Sequence, residues 1–168
     1  MNAKCVYLVE GSCEKQLINA LKEHPSKLMP GKVRVFNLIQ KRIPKSMLLT
    51  IQPGTIVVLV FDTDVPQTDA LRDNIKLLRQ YCVHIRLVFL AQVTNLEDEL
   101  IRCTDVDAVA ELTKSEGTQK FKNDFCRMKP LECRTMLERH HLDAARLWST
   151  AAPEPFQFIE QNGGQIKL

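Results

Sequence analysis

Apolar residues follow two rhythms along the first half of this chain. Uninterrupted runs occur at Cys5-Val6-Tyr7-Leu8-Val9 and at Ile56-Val57-Val58-Leu59-Val60-Phe61, and a further strand-like segment, broken by Arg86, spans residues 84–90. Runs of this length, rich in Val and Ile, predict strands buried on both faces, the habit of a parallel sheet. Between them the spacing changes to the helical one. Leu17, Ile18 and Leu21 predict a helix over residues 13–23, with Ser12 as its N-cap, and Leu71, Ile75 and Leu78 predict another over 67–81. A further strand is expected at 33–39. Residues 41–51 suggest a short helix starting near Pro44, with Met47, Leu48 and Leu49 buried. Pro25, Pro30-Gly31 and Pro53-Gly54 punctuate these segments as turns.

Strands separated by helical segments indicate βαβ units. After Ala91 the pattern becomes helical, over residues 96–103, 106–113, 118–128, 130–141 and 143–148. The tail at 161–168 reads as loose or as a short edge segment. The expected fold is α/β: a mainly parallel four-stranded sheet flanked by helices, with a helical C-terminal extension. The whole is one domain, with a core over about residues 4–90 and the helical portion over about 95–150.

Composition adds bounds. A chain of 168 residues with 45% hydrophobic and 26% charged residues suits one globular domain. Its net charge of +3 is too small to announce nucleic-acid binding by itself. No run approaches the roughly 18 apolar residues of a membrane span, and no signal-peptide pattern precedes the first strand, so a cytoplasmic location is expected. The six cysteines include no C-x-x-C pair, which fits reduced thiols. Cys126, Cys133 and His140 or His141 match no common zinc spacing.

The chemistry lies where two apolar runs end in acid. Glu10-Gly11 follows the first run and Asp62-Thr63-Asp64 the third strand. In open α/β sheets ligands bind beyond the carboxyl ends of the strands. Residues i and i+2 of an extended segment point the same way, so Asp62 and Asp64 can share a cation. Three carboxylates on one edge suit a hard cation such as Mg²⁺. Glu14 follows one turn later and either supports the cluster or favours the helix N-terminus.

These motifs, Leu8-Val9-Glu10-Gly11 and Val60-Phe61-Asp62-Thr63-Asp64, resemble those of the Toprim domain. That domain is shared by topoisomerases, bacterial primases, small ribonucleases and the overcoming-lysogenization-defect nucleases. Glu10-Gly11-Ser12-Cys13-Glu14 is similar to the version in stand-alone, nuclease-like members, and the likeness covers about residues 4–90. It implies a Toprim-like, Rossmann-like fold, Glu10 as general acid or base, and Mg²⁺ (or Mn²⁺) on Asp62 and Asp64. The segment Thr94-Asn95-Leu96-Glu97 resembles the acidic strand-to-helix element of the restriction-associated RloB-like proteins, which implies Glu97 as a further metal ligand. Read without that likeness, it is a charged first helical turn capped by Asn95.

Lys120 and Lys122 follow Gly117-Thr118, a loop-to-helix junction suited to phosphate. With Gly11 they are the candidate phosphate or nucleic-acid contacts, and a DNA or RNA backbone is the expected partner. The function expected is Mg²⁺-dependent nucleic-acid phosphodiester cleavage in defence or repair. One alternative is a non-catalytic metal- or nucleic-acid-binding subunit of a protein assembly. Another is a phosphatase similar to the haloacid dehalogenases, with Asp62 as covalent nucleophile and Asp64 as acid/base.

Overall fold

A computed structural model describes residues 4–168. The predicted runs form four strands: β1 (Cys5–Val9), β2 (Lys32–Val35), β3 (Ile56–Asp62) and β4 (Arg86–Gln92). All neighbours pair in parallel, in the order β2-β1-β3-β4. β1 lies in register with β3 from Cys5 opposite Ile56 to Val9 opposite Val60. The chain therefore steps from β1 to one side, then returns to place β3 on the other. The crevice between β1 and β3 is the point at which the winding reverses, where open α/β sheets receive ligands.

The strands are apolar throughout because both sheet faces are covered. Tyr7, Val9, Val58, Val60, Val88 and Leu90 face one core, with Leu17, Ile18 and Leu21 of α1 (Ser12–Lys22). Leu8, Val57, Leu59, Phe61, Phe89 and Ala91 face the other, with Leu71, Ile75 and Leu78 of α3 (Asp69–Tyr81). The short α2 (Lys45–Leu48) buries Leu48 beside α3.

The later helices are α4 (Leu96–Cys103), α5 (Ala110–Thr113), α6 (Thr118–Arg127) and α7 (Pro130–Arg139). Phe121, Phe125, Cys133 and Leu137 join the α1 face, so the helical portion extends the first core. No helix among the described residues is long and apolar enough to cross a membrane.

Several boundaries differ from the sequence pattern. β2 stops at Val35 because the Asn37 side chain accepts hydrogen bonds from the N–H groups of Ile39 and Gln40, forming a turn. Residues 143–148 are turns: Asp143 Oδ1 accepts from the N–H groups of Ala145 and Arg146, and Trp148 has φ of 54°. Gly11 takes the N-cap position of α1, and Ser12 lies inside the helix.

The tail, expected loose or as a short edge segment, closes the exposed edge of β4. The Phe89 and Ala91 N–H groups donate to the side chains of Asn162 and Gln161. Those amides donate back to Leu87 O and Ala91 O. Two side-chain amides thus satisfy backbone groups that an edge strand leaves open to another chain.

Candidate functional site

Glu10 ends β1 and Asp62 ends β3, side by side because those strands pair in register. The Asp62 N–H donates to Glu10 Oε2 at 2.6 Å, bridging the crevice. Asp62 lies on the same sheet face as Val60, the face covered by α1, which brings Glu14 of the first helical turn toward it. Glu14 is 7% exposed, and the backbone N–H groups at Gly11 and Glu14 partly offset the cost of burying its carboxylate. A Cβ on Gly11 would stand 2.9 Å from Glu14 Oε2. Gly11 thus leaves room for the Glu14 carboxylate.

The third wall starts at the end of β4. Thr63 is tied to it twice: its N–H donates to Thr94 O at 3.0 Å and its hydroxyl to Gln92 O at 2.9 Å. The Thr94 N–H returns a bond to the Thr63 hydroxyl at 3.1 Å. Thr94 has φ of 69°, a costly conformation for a β-branched residue, and these bonds hold it there. Asn95 then caps α4 by accepting from Asp98 N–H, as expected. The following Glu97 reaches Lys122 of α6 in a 2.8 Å ion pair.

Burial and crowding dominate the electrostatics. Desolvation, with Glu14, Glu10, Asp64 and Glu97 adding repulsion, pushes the Asp62 carboxyl up to about 9. Desolvation is also the largest cause for Glu10, which rises to about 7 with help from Glu14 and Asp64, although the Asp62 N–H opposes the shift. Glu14 is raised too, mainly by desolvation. The Lys122 ammonium is held above its ordinary range, first by its hydrogen bond to Glu97.

Raised carboxyls bind protons in the folded state that the unfolded chain has lost near pH 4. Stability from this cluster is therefore full below pH 4. It falls as pH rises through about 7 for Glu10 and about 9 for Asp62. Thermal unfolding in EDTA should show a melting temperature that declines from pH 5 to pH 9. Glu10→Gln and Asp62→Asn should each flatten that decline. A profile that rises over this range would show that the carboxyls are not crowded in solution.

The donor set suits a hard cation. Glu10, Glu14, Asp62, Asp64 and Glu97 influence one another and offer carboxylate oxygen, as Mg²⁺ and Mn²⁺ prefer. Asp62 Oδ1 is buried without a hydrogen-bond partner, an acceptor left open. Among the described residues, however, no group of three or more His, Cys, Asp or Glu side chains is placed to hold a metal ion. Glu97 is engaged with Lys122 and Asp64 is exposed.

The structure thus brings together Glu10, Asp62, Asp64, Glu97 and Lys122 and adds Glu14 as a buried member. Lys120 is exposed on α6, and no hydrogen bond or ion pair among the described residues joins it to the cluster. Gln92 was not legible as a site residue. It is fully buried, directly opposite Asp62 in the β3–β4 register, and neither polar atom of its side chain has a partner. Nothing in an apolar strand ending in Gln signals this; only the register does. Comparison with protein-family models, with curated proteins and with solved structures finds no match to this chain.

Proposed function

We propose that the chain is a Mg²⁺- or Mn²⁺-dependent phosphodiesterase of the Toprim type, acting on a nucleic-acid backbone. The observation that carries this reading is the Glu10–Asp62 bridge across the β1–β3 crevice, inside a cluster of mutually repelling carboxylates. A structure that concentrates negative charge at the reversal of its sheet incurs a stability cost that a bound cation relieves.

Asp62 and Asp64 would hold the cation, with Glu97 and Glu14 as further oxygen donors. When bound, such an ion stabilises charge on the phosphate and lowers the pKa of water. Glu10 is the group to move the proton. A carboxyl near 7 is populated in both states at neutral pH, which is what general acid–base catalysis asks for. The Asp62 N–H fixes the Glu10 carboxylate while leaving its other oxygen for the proton. Lys122 supplies positive charge beside the acids, to hold a phosphate of the polymer. Lys120 and Gly11 fit a supporting role at most, the first by its exposed position on α6 and the second by the room it leaves for Glu14.

The covalent phosphatase alternative fits less well. It gives no role to Glu10, whose carboxylate is bridged to the Asp62 N–H, and its motif would open the domain, whereas β1 and β2 precede Asp62 here. The test is cleavage of labelled DNA and RNA with Mg²⁺ or Mn²⁺, beside hydrolysis of p-nitrophenyl phosphate. Wild type, Glu10→Gln and Asp62→Asn are compared on each substrate. Nucleic-acid cleavage abolished in both variants supports the proposal. Small-phosphate turnover surviving Glu10→Gln would favour the phosphatase, and inactivity on every substrate would favour a binding subunit.

A further inference from the structure

Beside the acidic cluster, two thiols from distant parts of the chain meet. Cys13 is in the first turn of α1 and Cys126 in the last turn of α6, 113 positions later. Their sulfurs are 2.7 Å apart. A disulfide bond is about 2.05 Å, so a shift of well under an ångström separates contact from bond. Both residues are half-buried, whereas Cys5, Cys82, Cys103 and Cys133 are buried, and all six are free thiols. The pair has a defined setting: Ser12 Oγ is 3.4 Å from Cys126 Sγ, and Cys13 Sγ lies 3.7 Å from Lys122 O.

We propose that Cys13 and Cys126 form a reversible redox site that low-molecular-weight disulfides convert to an intramolecular disulfide. Cys126 attacks one sulfur of the small disulfide, forming a mixed disulfide and releasing the first small thiol, which takes the Cys126 proton. Cys13 then attacks Cys126 Sγ, closing the protein disulfide and releasing the second small thiol with the Cys13 proton. Two protein thiols are oxidised, and one small disulfide is reduced to two thiols. Entry at Cys126 is one order of attack; with the two sulfurs in contact, entry at Cys13 closes the same disulfide. Closure then clamps the end of α6 onto the start of α1. Lys122 lies one helical turn before Cys126 on the same face of α6, so the clamp also fixes the Lys122 side of the acidic crevice. It closes a long loop of the chain, the case in which a cross-link most restricts the unfolded state.

The experiment exposes the full chain to oxidised glutathione, alkylates the remaining thiols in denaturant and maps the peptides. The expected result is a link between the Cys13 and Cys126 peptides, with two of the six thiols lost to alkylation and both recovered by dithiothreitol. The oxidised monomer should melt several degrees higher than the reduced one. Cys13→Ser should stop at a mixed disulfide on Cys126, seen as a glutathione adduct by mass. Alkylation of all six thiols after oxidant, a link through other cysteines, or cross-linked dimers would overturn the proposal. None of these readouts involves cation or nucleic acid, so the result stands whether or not the site cleaves phosphodiesters.

Discussion

Asp62→Asn is expected to yield a protein that is more stable without cation and about 10³-fold less active in nucleic-acid cleavage. The side chain keeps its shape and loses its charge. In the wild type the Asp62 carboxyl is crowded by four other carboxylates and held up to about 9, so ionising it opposes folding. Asn removes that penalty, and at pH 8 in EDTA the variant should melt above wild type. The same change takes away the anionic donor at the centre of the cluster. Charge stabilisation by a bound ion supplies several kcal/mol to such a reaction, and about 1.4 kcal/mol corresponds to tenfold in rate. Added Mg²⁺ should raise the melting temperature of wild type and leave Asp62→Asn where it was. A variant that loses stability and activity together would mean that Asp62 serves only the fold.

The second large effect lies far from the acids. Phe156→Ala should cost about 3–5 kcal/mol of stability, read as a lower midpoint in urea. Phe156 is fully buried, and its ring stacks on Phe61 with centroids 5.9 Å apart. It shares the second core with Leu59, Phe89 and Ile159, so the segment after the helices completes that face of the sheet. A loss this large is a major share of the 5–15 kcal/mol that holds a domain folded. Phe61 directly precedes Asp62, so the cavity should also loosen the site and weaken cation binding. A change below about 1 kcal/mol would show that the tail is not part of the folded core.

The sheet was legible in the sequence because buried parallel strands leave continuous apolar runs, and β1, β3 and β4 stand out for that reason. The acids at their ends were legible as well. Strand order was not encoded in any local rhythm, yet it is what places Glu10 against the Asp62 N–H. Glu14 was visible only as a helix-start residue with a possible supporting role. Its burial depends on the packing of α1 over the sheet and on the missing side chain at Gly11. Lys122 and Glu97 were separate candidates, joined by an ion pair that the packing of α6 on α1 and α5 sets up.

The misread segments share a cause. Asn37 and Asp143 redirect the backbone with their own side chains, overriding apolar periodicity nearby. Gln161 and Asn162 look like loop residues, but their amides complete the ladder of β4. Side-chain hydrogen bonds to backbone carry no period, so pattern alone does not find them.

Calorimetric titration of Mn²⁺ into the wild-type chain and Asp62→Asn, at pH 8 and pH 6, decides whether this crevice holds a cation. Wild type should bind saturably at pH 8 and more weakly at pH 6, where protons compete at Glu10 and Asp62. Asp62→Asn should not bind at either pH. Equal binding by the variant, or no binding by wild type at millimolar Mn²⁺, would contradict the assignment of this crevice as a cation site.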